Sequence, residues 1–191
     1  MSKTLKHELD IIKFTKEIEK NVNDCKAYVN RGFSYYYKGD YDRAIADFTK
    51  AIEIDPAFFT PYNNRGNCYL QTGRYDLAIA DFSVAIKLRP HNGIPYNNRG
   101  FAHMMQGNLK EAEEDIQKSL ELNKNNIYAM NSMAELCAVK NKPEDACKWL
   151  KMAIAKGYNN WKYLKTSKTY DNIRSVRCFK EILKEITAKE H

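Results

Sequence analysis

The sequence predicts an all-α fold, a solenoid of short antiparallel helix pairs stacked at a fixed period. Three observations predict it. The stretch Tyr62 to Pro90, YNNRGNCYLQTGRYDLAIADFSVAIKLRP, recurs at an offset of 34 residues on either side. The earlier copy is YVNRGFSYYYKGDYDRAIADFTKAIEIDP, Tyr28 to Pro56, and the later one YNNRGFAHMMQGNLKEAEEDIQKSLELNK, Tyr96 to Lys124. A period in this range marks stacked supersecondary units, none of which can bury its apolar face alone. Within each copy a glycine divides two amphipathic stretches of helical length. The composition also suits a folded chain, since 191 residues include 13 Tyr but only 8 Gly and 5 Pro.

Taken in order, residues 7–20 read as an orphan second helix. Phe14-Thr-Lys-Glu-Ile-Glu19 matches Phe48-Thr-Lys-Ala-Ile-Glu53, so the register begins before the first full unit. Leu9, Ile11, Ile12, Phe14 and Ile18 give it a broad apolar face. This is expected to be an N-terminal half repeat, atypical as terminal repeats are. The first full unit spans 25–56, with helices over 25–38 and 41–54. Gly39-Asp40 supplies a helix stop and then an N-cap, and Pro56 forbids continuation. The second unit spans 59–90, with helices over 59–72 and 75–88. The third spans 93–124, with helices over 93–106 and 109–122. A fourth, degenerate unit spans 127–156, where Ala134 stands for the helix glycine, Ala146 keeps the small residue and Leu150 takes the large one. Lys142-Pro143 places proline at a helix start, where its missing N–H is harmless. Residues 157–191 have no partner at the 34-residue offset. Gly157 ends a helix, Trp161 and Leu164 suggest a short apolar turn, and Val176 to Ile186 reads as a final amphipathic helix capping the fourth unit. All of this is expected to form one domain.

Gly32, Gly66 and Gly100 lie inside helices, where Gly costs about 1 kcal/mol against Ala. Their recurrence predicts close approach of a neighbour at those points. Ala44, Ala78 and Ala112 are the small residues of the second helices, Phe48, Phe82 and Ile116 the large ones. Tyr28, Tyr62 and Tyr96 begin the first helices. Arg31, Arg65 and Arg99 recur with Asp47, Asp81 and Asp115, which predicts an internal ladder of ion pairs. An anion-binding surface is the sharper alternative.

The residues Tyr62, Gly66, Tyr69, Ala78, Phe82, Ala85 and Pro90 resemble the tetratricopeptide repeat. Tyr28, Gly32, Tyr35, Ala44, Phe48, Ala51 and Pro56 do so equally, whereas the third copy departs at His103, Ser119 and Lys124. Ala153 to Tyr158, Asp171 to Arg174 and Arg177 to Phe179 are similar to the closing segment of some such arrays. The resemblance implies a right-handed superhelix, with first helices lining a concave groove that holds a peptide or another protein. Fold alone does not fix function, so the groove residues carry the case.

That register places Asn30, Phe33, Tyr36 and Tyr37 in the groove from the first unit, and Asn63, Asn64, Asn67 and Gln71 from the second. Asn97, Asn98, Phe101, Met104 and Met105 follow from the third, and Asn131 from the fourth. Asn30, Asn64 and Asn98 occupy equivalent sites. An amide side chain both donates and accepts, so stacked asparagines can grip an extended peptide backbone without reading its sequence. This resembles the asparagine ladder of some peptide-binding arrays. The same positions also suit solvated groove residues or caps on a neighbouring turn. The family's carboxylate clamp is similar at Asn67 and Asn98, but Asn63, Tyr128 and Ser132 stand where cations are expected. In the earlier frame Val29, Ile94 and Asn98 stand there, and charge-assisted bonds to a carboxylate are missing.

The expected function is therefore a non-enzymatic scaffold holding an extended peptide, with Phe33, Tyr36, Tyr37, Phe101, Met104 and Met105 receiving apolar side chains. The charge distribution supplies an alternative. Residues 1–139 hold 18 Lys and Arg against 18 Asp and Glu, and residues 140–191 hold 13 against 6, so the net charge of +7 sits in the C-terminal part. Lys162 to Lys184 is then a candidate surface for nucleic acid or an anionic membrane. Self-association through the array ends is a third possibility. The histidines are His7, His91, His103 and His191, none spaced with a Cys or Ser as a nucleophile's partner, and no glycine-rich phosphate loop is present. No catalytic site, cofactor or metal is expected. Cys25, Cys68, Cys137, Cys147 and Cys178 are odd in number and lack a C-x-x-C spacing, so free thiols in a reducing compartment are expected. The charged N-terminus has no signal-like apolar core and no run reaches the roughly 20 apolar residues of a membrane span, which points to a cytoplasmic protein.

Overall fold

The computed structural model describes residues 3–188, and those residues are almost entirely helical. The elements are α1 (Lys3–Lys20), α2 (Cys25–Lys38), α3 (Tyr41–Ile54), α4 (Phe59–Gln71), α5 (Tyr75–Leu88), α6 (Gly93–Met105), α7 (Leu109–Leu122), α8 (Ile127–Val139), α9 (Pro143–Ala155), α10 (Trp161–Thr166), a 3-10 helix (Lys168–Ile173) and α11 (Arg177–Ala188). They pack as sequential antiparallel pairs in two compact units, residues 1–102 and 103–191.

In the first unit the helix ends are set locally. Asp24 accepts the N–H of Ala27 at 2.9 Å to start α2, and Asp40 accepts that of Arg43 at 3.3 Å to start α3. Between α2 and α3 the chain turns at Gly39, whose φ of +79° is the left-handed conformation that glycine adopts freely. α1 begins one turn earlier than the sequence predicts. It packs along α2, where Lys38 pairs with Glu8 at 3.0 Å and Tyr37 stacks on His7.

Small residues face large ones through the core of this unit. Ala44, Phe48, Ala51, Ala78, Phe82 and Ala85 are completely buried. The close approach predicted at the helix glycines is made by a ring of the same helix pair. A Cβ on Gly32 would lie 2.8 Å from Phe48 Cε1, and one on Gly66 would lie 2.6 Å from Phe82 Cε1. The phenylalanine thus rests against bare backbone, which explains a residue that costs helix stability on its own.

The arginine ladder holds α1 to α5 in register. Arg31 Nε and Nη2 donate to Asp47 at 2.8 and 2.7 Å, while Nη1 donates to Thr15 Oγ1 at 3.1 Å. Arg65 repeats this with Asp81 at 2.8 and 2.8 Å and with Thr49 at 2.9 Å. Each guanidinium therefore joins the second helix of its own pair to the second helix of the preceding pair. Fork-to-fork pairing fixes geometry as well as charge. Arg99 reaches Ser83 Oγ at 3.0 Å in the same manner.

In the second unit α8 is buried nearly all round, from Ala129 to Ala138. α7 and α9 cover part of it, and the 3-10 helix covers another part. Leu164, Tyr170 and Ile173 are fully buried there. The predicted apolar turn at Trp161 and Leu164 is a short helix, capped by Asn160. Phe179, Ile182 and Ile186 form the buried stripe of α11, which lies on α9. Cys147 and Cys178 are joined by a disulfide between α9 and α11, which corrects the expectation of five free thiols. Cys25, Cys68 and Cys137 are free. Cysteine spacing does not reveal the bond, because its partners lie 31 residues apart on helices brought together only by packing.

Candidate functional site

The groove positions of the first unit lie on α2, α4 and the part of α6 up to Ala102. α2 supplies an aromatic cluster. Phe33 packs edge-on against Phe48, Tyr36 meets Tyr37 and Tyr41 edge-on, and Tyr37 is 65% exposed. Burial pushes the Tyr36 hydroxyl up to about 12, against the smaller opposing effect of a hydrogen bond with Gln71. Its ring is a neutral contact surface at any physiological pH. Asn30 is exposed on the same helix and Phe101 is half-buried on α6.

The asparagines of α4 and α6 form one connected group. Asn98 donates its amide hydrogens to Asn63 Oδ1 at 3.2 Å and Asn67 Oδ1 at 3.1 Å. Asn63 in turn donates to Asn64 Oδ1 at 3.4 Å. Asn64 is 7% exposed and Asn97 is 8% exposed. The Asn64 Nδ2 donor and the Asn97 Oδ1 acceptor are buried without a hydrogen-bond partner. Buried polar atoms are nearly always paired, since an unmade bond costs about 1–3 kcal/mol. Both atoms lie out of reach of solvent, whereas Asn30 is exposed.

The sites predicted beyond Ala102 are placed differently. Met104 is buried and Met105 is exposed at the end of α6. Asn131 is buried inside the second unit, donating to Glu135 Oε2 at 2.8 Å and accepting from Tyr170 at 2.9 Å. As an accessible groove residue Asn131 is thereby corrected, because both ends of its amide are already used. Tyr170, which uses one end, and Tyr163 and Thr169, which bond to the Glu135 at the other, have no counterpart in the repeats and were not legible from the register. The only sequence signal for them is the aromatic run after Gly157 that breaks the period. By contrast, Thr15, Thr49 and Ser83 recur at one offset ahead of Arg31, Arg65 and Arg99, so their part in the ladder was readable.

His103 is half-buried with Nδ1 unpaired, at the position where the repeats place a packing aromatic. Among the described residues no group of three or more His, Cys, Asp or Glu is arranged to hold a metal ion. No helix among them is long and apolar enough to cross a membrane.

Paired helices with a bare-backbone glycine under a phenylalanine, repeated after 34 residues, define a helical repeat protein by architecture. The tetratricopeptide repeat model matches residues 25–58, 60–92 and 94–126, more than half of the chain. The chain belongs to the tetratricopeptide repeat family. Among curated proteins no relative matches. Among solved structures, MamA aligns at 21% identity over 82% of this chain and 95% of that one, with a TM-score of 0.68. YrrB, described as a TPR protein with an unusual peptide-binding site, aligns at 24% identity over 92% and 91%, with a TM-score of 0.62. The first TPR of Spaghetti (RPAP3), bound to the HSP90 peptide SRMEEVD, aligns at 29% identity over 59% and 89%, with a TM-score of 0.57.

Proposed function

We propose that this protein is a non-enzymatic scaffold whose first unit holds an extended peptide segment of a partner across α2, α4 and α6. The observation that carries this is the aromatic edge of α2, where Tyr37 is 65% exposed against Phe33 and Tyr36, with the exposed Asn30 on the same helix. Asn30 extends the row, and Phe33, Tyr36, Tyr37 and Phe101 offer the apolar contacts beside it. One similar structure bound to a peptide and another described as having a peptide-binding site support the class of ligand. The cations of a carboxylate clamp are not at hand, because Asn63, Tyr128 and Ser132 stand where they are expected, and Arg31 and Arg65 are paired with Asp47 and Asp81. A neutral, partly aromatic or aliphatic segment therefore suits the row better than an acidic tail. A cytoplasmic location belongs to the same reading.

The test uses an array of extended synthetic peptides probed with the full chain. The best binder is then titrated against the native protein and the Asn64→Ala plus Asn98→Ala variant. A loss of about tenfold or more, with little change between low and moderate salt, supports the groove. Unaltered affinity in the double variant sinks it. Steep weakening with salt instead assigns binding to the basic residues Lys162 to Lys184.

A further inference from the structure

The C-terminal segment occupies the face of α8 that the repeat register assigns to the groove. Glu135 lies at the centre of that face and is 1% exposed. Its Oε1 accepts from the Tyr163 hydroxyl at 2.5 Å and the Thr169 hydroxyl at 2.6 Å. Its Oε2 accepts from Asn131, whose Oδ1 accepts from Tyr170. The side chains of Asn131 and Glu135 on that face are thus bonded to each other and to the chain's own residues 158–173. We propose that residues 158–173 are an intramolecular latch, closed over α8 while Glu135 is protonated and loosened when Glu135 ionises.

The surroundings of the carboxyl support this. The titratable groups facing it are Tyr158, Tyr163 and Tyr170, all neutral hydroxyls raised by burial. No lysine or arginine is among the groups that act on it. On α9 the charged residues Glu144, Asp145, Lys148 and Lys151 are exposed, and on α7 Glu113 is engaged with Lys140. On the segment itself Lys162, Lys165, Lys168 and Asp171 are exposed, so hydrogen bonds from Thr169, Tyr163 and Ser167 are what oppose the burial of a negative charge. Ser167 Oγ and Thr169 Oγ1 lie 2.7 Å apart, and either can be the donor. When Glu135 is protonated, its O–H donates to Thr169 and Thr169 turns its hydrogen to Ser167. When Glu135 is ionised, Thr169 turns back and donates to it. Both states keep their hydrogen bonds with the heavy atoms in place, so they differ chiefly in the burial of a charge.

Desolvation raises Glu135 to about 7, against the opposing hydrogen bonds from Thr169 and Tyr163. A carboxyl raised in the closed state stabilises closure fully below its open-state value of 4.5. That contribution is lost as pH rises toward 7 and is constant above it. The latch therefore closes on acidification and loosens near neutrality. The segment lies between Cys147 and Cys178, so it can lift while the disulfide keeps α11 on α9. Lifting bares Asn131, Ser132 and Glu135. What then binds them rests on the peptide-binding proposal, but the latch itself does not.

Hydrogen exchange of the full chain, followed by mass spectrometry without any ligand, tests it. After correction for intrinsic rates, protection of peptides from 158–173 is expected to fall about tenfold per pH unit from about 5 to 7 and then level off. Peptides from α4 and α5 serve as the reference and should stay level. Glu135→Gln should flatten the profile. Tyr163→Phe removes a donor to the ionised form, so the levelling point should move to higher pH. A flat native profile, or a Tyr163→Phe profile that superimposes on the native one, overturns the latch. The second variant decides the question even if the first fails to fold.

Discussion

The ring of Phe82 rests on the bare backbone of Gly66, so closely that a Cβ there would lie 2.6 Å from Cε1. Gly66→Ala gains about 1 kcal/mol of helix propensity but must displace a fully buried ring. Overpacking of this kind costs about 1–3 kcal/mol. Net destabilisation is expected in urea unfolding. Gly66→Ala combined with Phe82→Leu should recover part of it, because the smaller side chain leaves room for the methyl.

Arg65 and Asp81 make the same kind of paired contact at the side of that core. Both side chains are largely shielded from solvent. Arg65→Met strands a nearly buried carboxylate, and removal of one partner of such a pair costs about 3 kcal/mol. Arg65→Met with Asp81→Leu should lie much closer to the native protein, since no unpaired charge remains. Equal loss in the single and double variants would mean that the contact with Thr49 matters more than the charge.

Asn64→Ala separates stability from binding. Its Nδ2 is buried without a partner, and its Oδ1 accepts only a long bond from Asn63. The unliganded variant is expected to be within about 0.5 kcal/mol of the native protein, or slightly more stable. Peptide affinity should fall at the same time. A loss of stability above about 2 kcal/mol would show that the amide is structural rather than held for a ligand.

Global stability should depend on pH through Glu135. Its carboxyl is raised from 4.5 to about 7 in the folded state, first by desolvation. The contribution is complete below about pH 4.5 and gone above about 7, a loss of about 3 kcal/mol over that window. Denaturant titrations of native protein and Glu135→Gln at several pH values give the difference. A difference that stays constant with pH contradicts the assignment.

The Cys147–Cys178 bond closes a loop across α9, α10 and α11. Loop-closure entropy at this separation corresponds to about 3–4 kcal/mol. Reduction should lower the melting temperature of the native protein and leave Cys147→Ser unaffected. Identical shifts in both would place the reductant's effect elsewhere.

Much of the fold was legible because its causes are local. Helix ends at Gly39 and Asp40 depend on capping groups within a few residues. The Arg31–Asp47 and Arg65–Asp81 rungs were legible because their members recur together at one spacing. The groove asparagines could be named from the register, but their states could not. Asn98 is tied to Asn63 and Asn67, while Asn64 keeps a free donor, and that difference arises from side-chain distances between helices.

The sequence by itself determined a period, the helices that fill it and the glycines that let them pack. These follow from residue type at fixed spacing. Only the tertiary structure decided the fate of α8. Its groove face is polar like the others, yet Tyr163, Thr169 and Tyr170 return from 28 to 39 residues away to bond with Glu135 and Asn131. Nothing in a repeat register encodes such a return, because it depends on how a non-repeating segment finds the buried polar groups that most need partners.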